Sequence, residues 1–156
     1  MSAPGGLPGA IQLPDGAWVR GRALRRPPPP GAAPDFGLYL GTRRQMARWQ
    51  PPWPHTWVTW PDFRLPSDPD AAVAAIRDLH RRALAGARAE VACGGGIGRT
   101  GTVIACLAVL AGIPGEEAVA WTRAHHHPRA VETPGQRRWV RRFGAAPDRP
   151  DPGRTP

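Results

Sequence analysis

A chain of 156 residues is long enough for one domain with one core, and that domain must carry the whole function. Its net charge of +9 invites a nucleic-acid reading, but all 21 basic residues are arginine and Ala, Gly and Pro are abundant, which is GC-rich codon usage on a solvated surface. Two cysteines exclude a disulfide framework, the longest apolar run (103–111) falls short of the roughly 18 residues of a membrane span, and no secretory signal opens the chain, so a soluble, cytoplasmic protein is expected.

In chain order, residues 1–10 are Gly/Pro-rich and expected to be loose. Residues 17–20 read as a short strand, 27–34 as a stiff Pro-rich connector, and 36–40 as a buried strand. Thr42 caps a short helix to Trp49, and 55–60 is another strand. Asp68 or Asp70 starts a helix over 69–87, with Val73, Ile76, Leu79 and Leu84 on its apolar face. Residues 89–93 form an apolar strand that a glycine run breaks, and 99–110 resume as an apolar helix ended by Gly112 and Pro114. Helices over 116–127 and 133–143 complete a domain over 11–144, followed by a disordered Pro-rich tail over 145–156. The alternation of strands and helices predicts a single α/β domain with a largely parallel sheet flanked by helices.

The chemistry concentrates between Ala89 and Thr102, where Cys93 is followed by Gly94, Gly95, Gly96, Ile97, Gly98 and Arg99. Successive amides of such a loop can turn inward around an anion, and the helix that follows points its positive end at the same place. Arg99 adds a planar, bidentate grip for two phosphate oxygens. The same field favours the thiolate of Cys93, an in-line nucleophile beneath a bound phosphate.

Cys93, Arg99, Thr100 and Gly101 match the His-Cys-x5-Arg-Ser/Thr-Gly signature, and on them the chain resembles the protein tyrosine phosphatase superfamily, in its small bacterial form. The resemblance implies a cysteine phosphatase fold and a reaction without metal or cofactor. Cys93 is then the nucleophile that forms a phosphocysteine, Arg99 binds the phosphoryl group together with the amides of 94–99, and the Thr100 hydroxyl supports the leaving thiolate. Trp60-Pro61-Asp62 looks like the family's acid loop and makes Asp62 the general acid and base. The segment from Val131 to Gln136 resembles the stretch whose glutamine orients the hydrolytic water, although Thr133, Pro134 and Gln136 also spell a capping box. The usual histidine before the nucleophile is Ala92 here, which removes hydrogen bonds around the cysteine loop.

The expected substrate is a phosphorylated protein, phosphotyrosine first, with dual specificity or a non-protein phosphomonoester as alternatives. An inactive phosphate-binding module and a sulfurtransferase are the competitors from other classes. No membrane partner and no oligomer beyond a monomer are expected. His125, His126 and His127 read as cations at a helix end, Cys106 as an inert core thiol, and Asp68 as a cap. Trp49, Trp53, Trp57 and Trp60 read mainly as core, with some free to wall a pocket, and Arg43, Arg44, Arg129, Arg137, Arg138, Arg141 and Arg142 as exposed helix arginines.

Overall fold

The computed structural model describes residues 6–145. The expected loose N-terminus falls outside them up to residue 5, and the expected tail from residue 146 on. Five strands, β1 (Ile11–Gln12), β2 (Trp18–Ala23), β3 (Phe36–Gly41), β4 (His55–Thr59) and β5 (Ala89–Cys93), form one sheet in the order β1-β2-β5-β3-β4. All pairings are parallel except β1 with β2. The helices are α1 (Arg43–Arg48), α2 (Pro69–Leu84), α3 (Gly98–Leu110), α4 (Ala118–His125) and α5 (Pro134–Ala145). Among the described residues no helix is long and apolar enough to cross a membrane, and no group of three or more His, Cys, Asp or Glu side chains is placed to hold a metal ion.

Side chains alternate across a strand, so each strand serves two faces. Val19, Leu38, Leu40, Val58, Val91 and Cys93 turn toward α2, α3 and α5, where Ile76, Leu79, Ile104, Leu107 and Val140 fill the core. Helix α3 is buried from Gly98 to Ala108, and each fully buried Leu or Ile there contributes about 1.5–3 kcal/mol. Arg20, Arg22, Tyr39, Trp57 and Glu90 turn the other way, toward α1. Glu90, wholly buried, accepts from Arg20 Nη2 at 2.7 Å, Arg22 Nε at 2.7 Å and the Tyr39 hydroxyl at 2.8 Å. Burial works against the charge of Glu90, but the Arg22 hydrogen bond and the charges of both arginines outweigh it and hold its carboxyl below the usual range. Burial and the Glu90 carboxylate together push the Tyr39 phenol up.

The segment expected to be loose is held from Leu7 onward. Leu7 is buried, Ala10 N–H donates to its carbonyl, and Arg20 Nη1 donates to Pro8 O at 3.4 Å. Thr42 caps α1 in a capping box with Gln45, and Asp68 caps α2 by accepting from Ala71 N–H at 3.1 Å. The parallel strands place the ends of β2, β3, β4 and β5 along one edge of the sheet, where sites in such folds form.

Candidate active site

Cys93 is the last residue of β5, the middle strand of the sheet, and is itself buried. The chain then turns through the glycines into α3, whose N-terminus has no side-chain cap and no acidic residue in its first turn. That leaves its first donors for another partner.

The loop segregates its donors from its acceptors. Cys93 O accepts from Leu24 N–H at 2.8 Å, Gly94 O from Arg25 N–H at 3.2 Å, and Ile97 O from Gly101 N–H at 2.9 Å. Gly96 O lies 2.8 Å from His126 Nε2, which donates to it. Among the described residues, no amide from Gly94 to Arg99 donates to any acceptor. Carbonyls tied outward with amides left inward make a concave nest for an anion. Gly96 is obligatory in this turn, because its φ is +70° and an added Cβ would stand 2.7 Å from Ala23 N.

Arg99 is buried in the first turn of α3 and grips the acid loop. Its Nη1 donates to Trp60 O at 2.8 Å, and its Nε stands 3.5 Å from Asp62 Oδ1, an ion-pair distance without the alignment of a hydrogen bond. Trp60 is buried, packs edge-on against Trp139 at 5.5 Å, and donates from Nε1 to Arg64 O at 2.7 Å. The acid loop is thus pinned at both ends, while the side chain of Asp62 is 45% exposed. Phe63 beside it holds φ at 58°, a left-handed backbone that a bulky residue rarely takes.

The Thr100 hydroxyl is buried without a hydrogen-bond partner among the described residues. A buried hydroxyl left unmet at the start of α3 is a donor without an internal partner. Gln136 is wholly buried and serves three backbone groups. Its Oε1 accepts from Glu132 and Thr133 N–H at 3.0 and 3.3 Å, and its Nε2 donates to Arg64 O at 3.2 Å. Both the capping box and a tether to the acid loop therefore run through one amide.

The fold brings Cys93, Arg99, Thr100 and the loop amides together, with Asp62 and Gln136 attached through Arg99 and Arg64. The model of the family described as "Swiss Army Knife protein, DSP-PTPase phosphatase domain" matches residues 49–146. The chain belongs to this family. Its matched segment includes the acid loop, the cysteine loop and Gln136, so this DSP-PTPase domain is a phosphatase of the protein tyrosine phosphatase superfamily. The structure is similar to a crystal structure of Tk-PTP in the active form, with a TM-score of 0.66 and 22% identity over 88% of this chain and 97% of that one. A glycine-to-alanine mutant form of Tk-PTP matches with a TM-score of 0.57 and 23% identity over 72% of this chain and 77% of that one. These likenesses show a shared fold. No curated protein matches the chain.

Two groups near the site of this DSP-PTPase domain escape sequence reasoning. His126 reads as a cation at a helix end, yet its half-buried ring packs against β2 and braces the cysteine loop. An added Cβ on Gly21 would meet the ring at 2.7 Å, so glycine there makes room for it. Burial depresses the His126 pKa, which keeps the imidazole neutral. The other group is Arg25, whose Nε would stand 3.5 Å from a Cβ on Gly94, the same distance as Arg99 Nη2. Its only sequence signal is the Arg-Arg pair before the proline run. Cys106, wholly enclosed in α3, has its thiol pKa pushed well up by burial.

Proposed function

We propose that this domain hydrolyses phosphate monoesters through a phosphocysteine, with phosphotyrosine on a protein as its leading substrate. The observation that carries the reading is the unmet row of amides from Gly94 to Arg99 at the mouth of Cys93. Phosphate oxygens fit those amides and the Arg99 guanidinium.

The Cys93 thiolate attacks phosphorus in line with the ester oxygen. As the S–P bond forms and the P–O bond breaks, Asp62 gives its proton to the departing oxygen. Water then attacks the phosphocysteine, Asp62 takes the water's proton, and the S–P bond breaks to release phosphate, with the Thr100 hydroxyl hydrogen-bonding the returning thiolate. Gln136 keeps one amide N–H beyond its bond to Arg64 O, and that donor orients the attacking water. Two unpaired thiols suit a reducing, cytoplasmic setting.

The family's description as a dual-specificity-type domain supports a second reading, in which phosphoserine and phosphothreonine are also cleaved. Rates on matched phosphotyrosine and phosphothreonine peptides separate the two.

The test of the chemistry is release of p-nitrophenol from its phosphate ester in EDTA. Wild type should turn over, Cys93→Ser should not, and Asp62→Ala should lose about a hundredfold or more. A wild-type protein that binds vanadate but shows no turnover between mildly acidic and mildly alkaline pH is a binding module instead.

A further inference from the structure

Beside the cysteine loop, on the α1 face of the sheet, lies a cavity of about 570 Å³. That is ample for a few side chains of a ligand. Arg25, Arg26 and Arg48 reach its rim and Trp49, Trp53 and Trp57 wall it, while no acidic residue lines it. Among the described residues none of these three arginines forms an ion pair. Behind the wall, Arg20 and Arg22 share the single carboxylate of Glu90, which leaves a net positive charge under the cavity. Trp57 Nε1 is buried and has no hydrogen-bond partner among the described residues. The cavity therefore offers cations and apolar walls, a set that fits carboxylates on short stems.

Arg25 joins this cavity to the reaction centre. Its backbone N–H holds Gly94 O, and its guanidinium reaches the same side of Gly94 as that of Arg99. A substrate held by its phosphate would pass Arg25 on entering the cavity. The indoles do not offer a stacking slot for a base. Trp49 meets Tyr39, Trp53 and Trp57 edge-on at 85°, 72° and 84°, and the Arg22 guanidinium lies 5.8 Å from the centre of its ring. Trp49 therefore forms no sandwich of parallel planes with its neighbours into which a base could slide, and the cationic rim without acidic residues suits a carboxylate.

We propose that the cavity is a specificity subsite that selects phosphotyrosine peptides with Asp or Glu beside the phosphotyrosine. The proposal rests on the phosphatase reading above and names its substrate class. Two phosphotyrosine peptides, alike except for Glu or Gln flanks, and p-nitrophenyl phosphate provide the test on wild type and the double variant Arg26→Gln, Arg48→Gln. Both arginines are exposed, so the fold is retained. Wild type should favour the Glu peptide about tenfold in kcat/KM, and the preference should fade with added salt. The double variant should lose that preference and keep its rate on p-nitrophenyl phosphate. Equal rates on the two peptides in wild type, or a double variant slowed alike on all three substrates, would overturn the proposal. So would a 5′-phosphorylated oligonucleotide that outcompetes the Glu peptide and loses this advantage in the double variant. If no substrate is turned over, the phosphatase reading falls by itself, and titration of Cys93→Ser with the two peptides decides the subsite. Tighter binding of the Glu peptide sustains it and equal binding overturns it.

Discussion

Along β5, Val91 faces packed hydrocarbon while Glu90, one residue earlier, faces two arginines and a phenol, and the same division runs along β2 and β3. The helical face is held by contact area, which adapts by small shifts when a methyl group is lost. The α1 face is held by a few groups that depend on one another, and removing one leaves the others charged and dry. The groups around the proposed site also divide along this line. Thr100 and His126 reach the cysteine loop from helices of the apolar side, and Arg25 and the tryptophan cavity approach from the other.

The largest effect should come from breaking the polar face. Glu90→Gln strips the charge partner from two buried guanidiniums and should cost about 3–5 kcal/mol in urea unfolding. Ile104→Val, a methyl lost from the opposite face, should cost about 1 kcal/mol. Equal costs would erase the distinction between the faces.

Next in size is Gly96→Ala, which forces a side chain into a left-handed turn and against the backbone of β2. The carbonyl braces would shift, and kcat/KM should fall about a hundredfold with vanadate affinity falling alongside. Unchanged vanadate affinity would show that the amide nest does not depend on this turn.

The smallest effect concerns His126. Loss of its hydrogen bond to Gly96 O in His126→Ala should lower kcat/KM about two- to tenfold, and His126→Gln, which keeps a donor, should recover part of it. The pH dependence has a definite sign. Because burial depresses this histidine in the fold, the unfolded chain binds its proton more readily, so stability is full above pH 6.5, the ordinary value, and declines as pH falls toward the folded value. Glu90, also depressed, loses its contribution only below its own ordinary value of 4.5. Urea midpoints at pH 7.5 and 5.5 should therefore differ in wild type more than in His126→Gln, and identical differences would deny the histidine this role.

Much of this was legible in the sequence. The strand, glycine turn and helix around Cys93 carry their own punctuation, and Thr42 and Asp68 announce the helices that they cap. Strand β1 escaped notice because two residues show no alternation, and α2 stops at Leu84, short of the expected 87, before the left-handed Gly86. Sequence alternation marks Arg20, Arg22 and Glu90 as sharing one kind of face but cannot show that β2 and β5 are neighbours. His126 was misjudged for a similar reason: three adjacent histidines look alike until packing turns one ring onto a carbonyl thirty residues away.

The place of β5 in the sheet has a consequence for how the molecule is made. Its two neighbours come from far upstream, with Glu90 paired to Arg20 across seventy residues and Arg88 to Asp35 across fifty-three. Such closures are slow, because chain entropy must be surrendered before distant pairings repay it. A ribosome that has released β1 to β4 has produced β2 and β3 without the strand that joins them. Cys93 thus arrives on the last of the described strands to be synthesised, and its insertion completes the sheet and the glycine loop in one event.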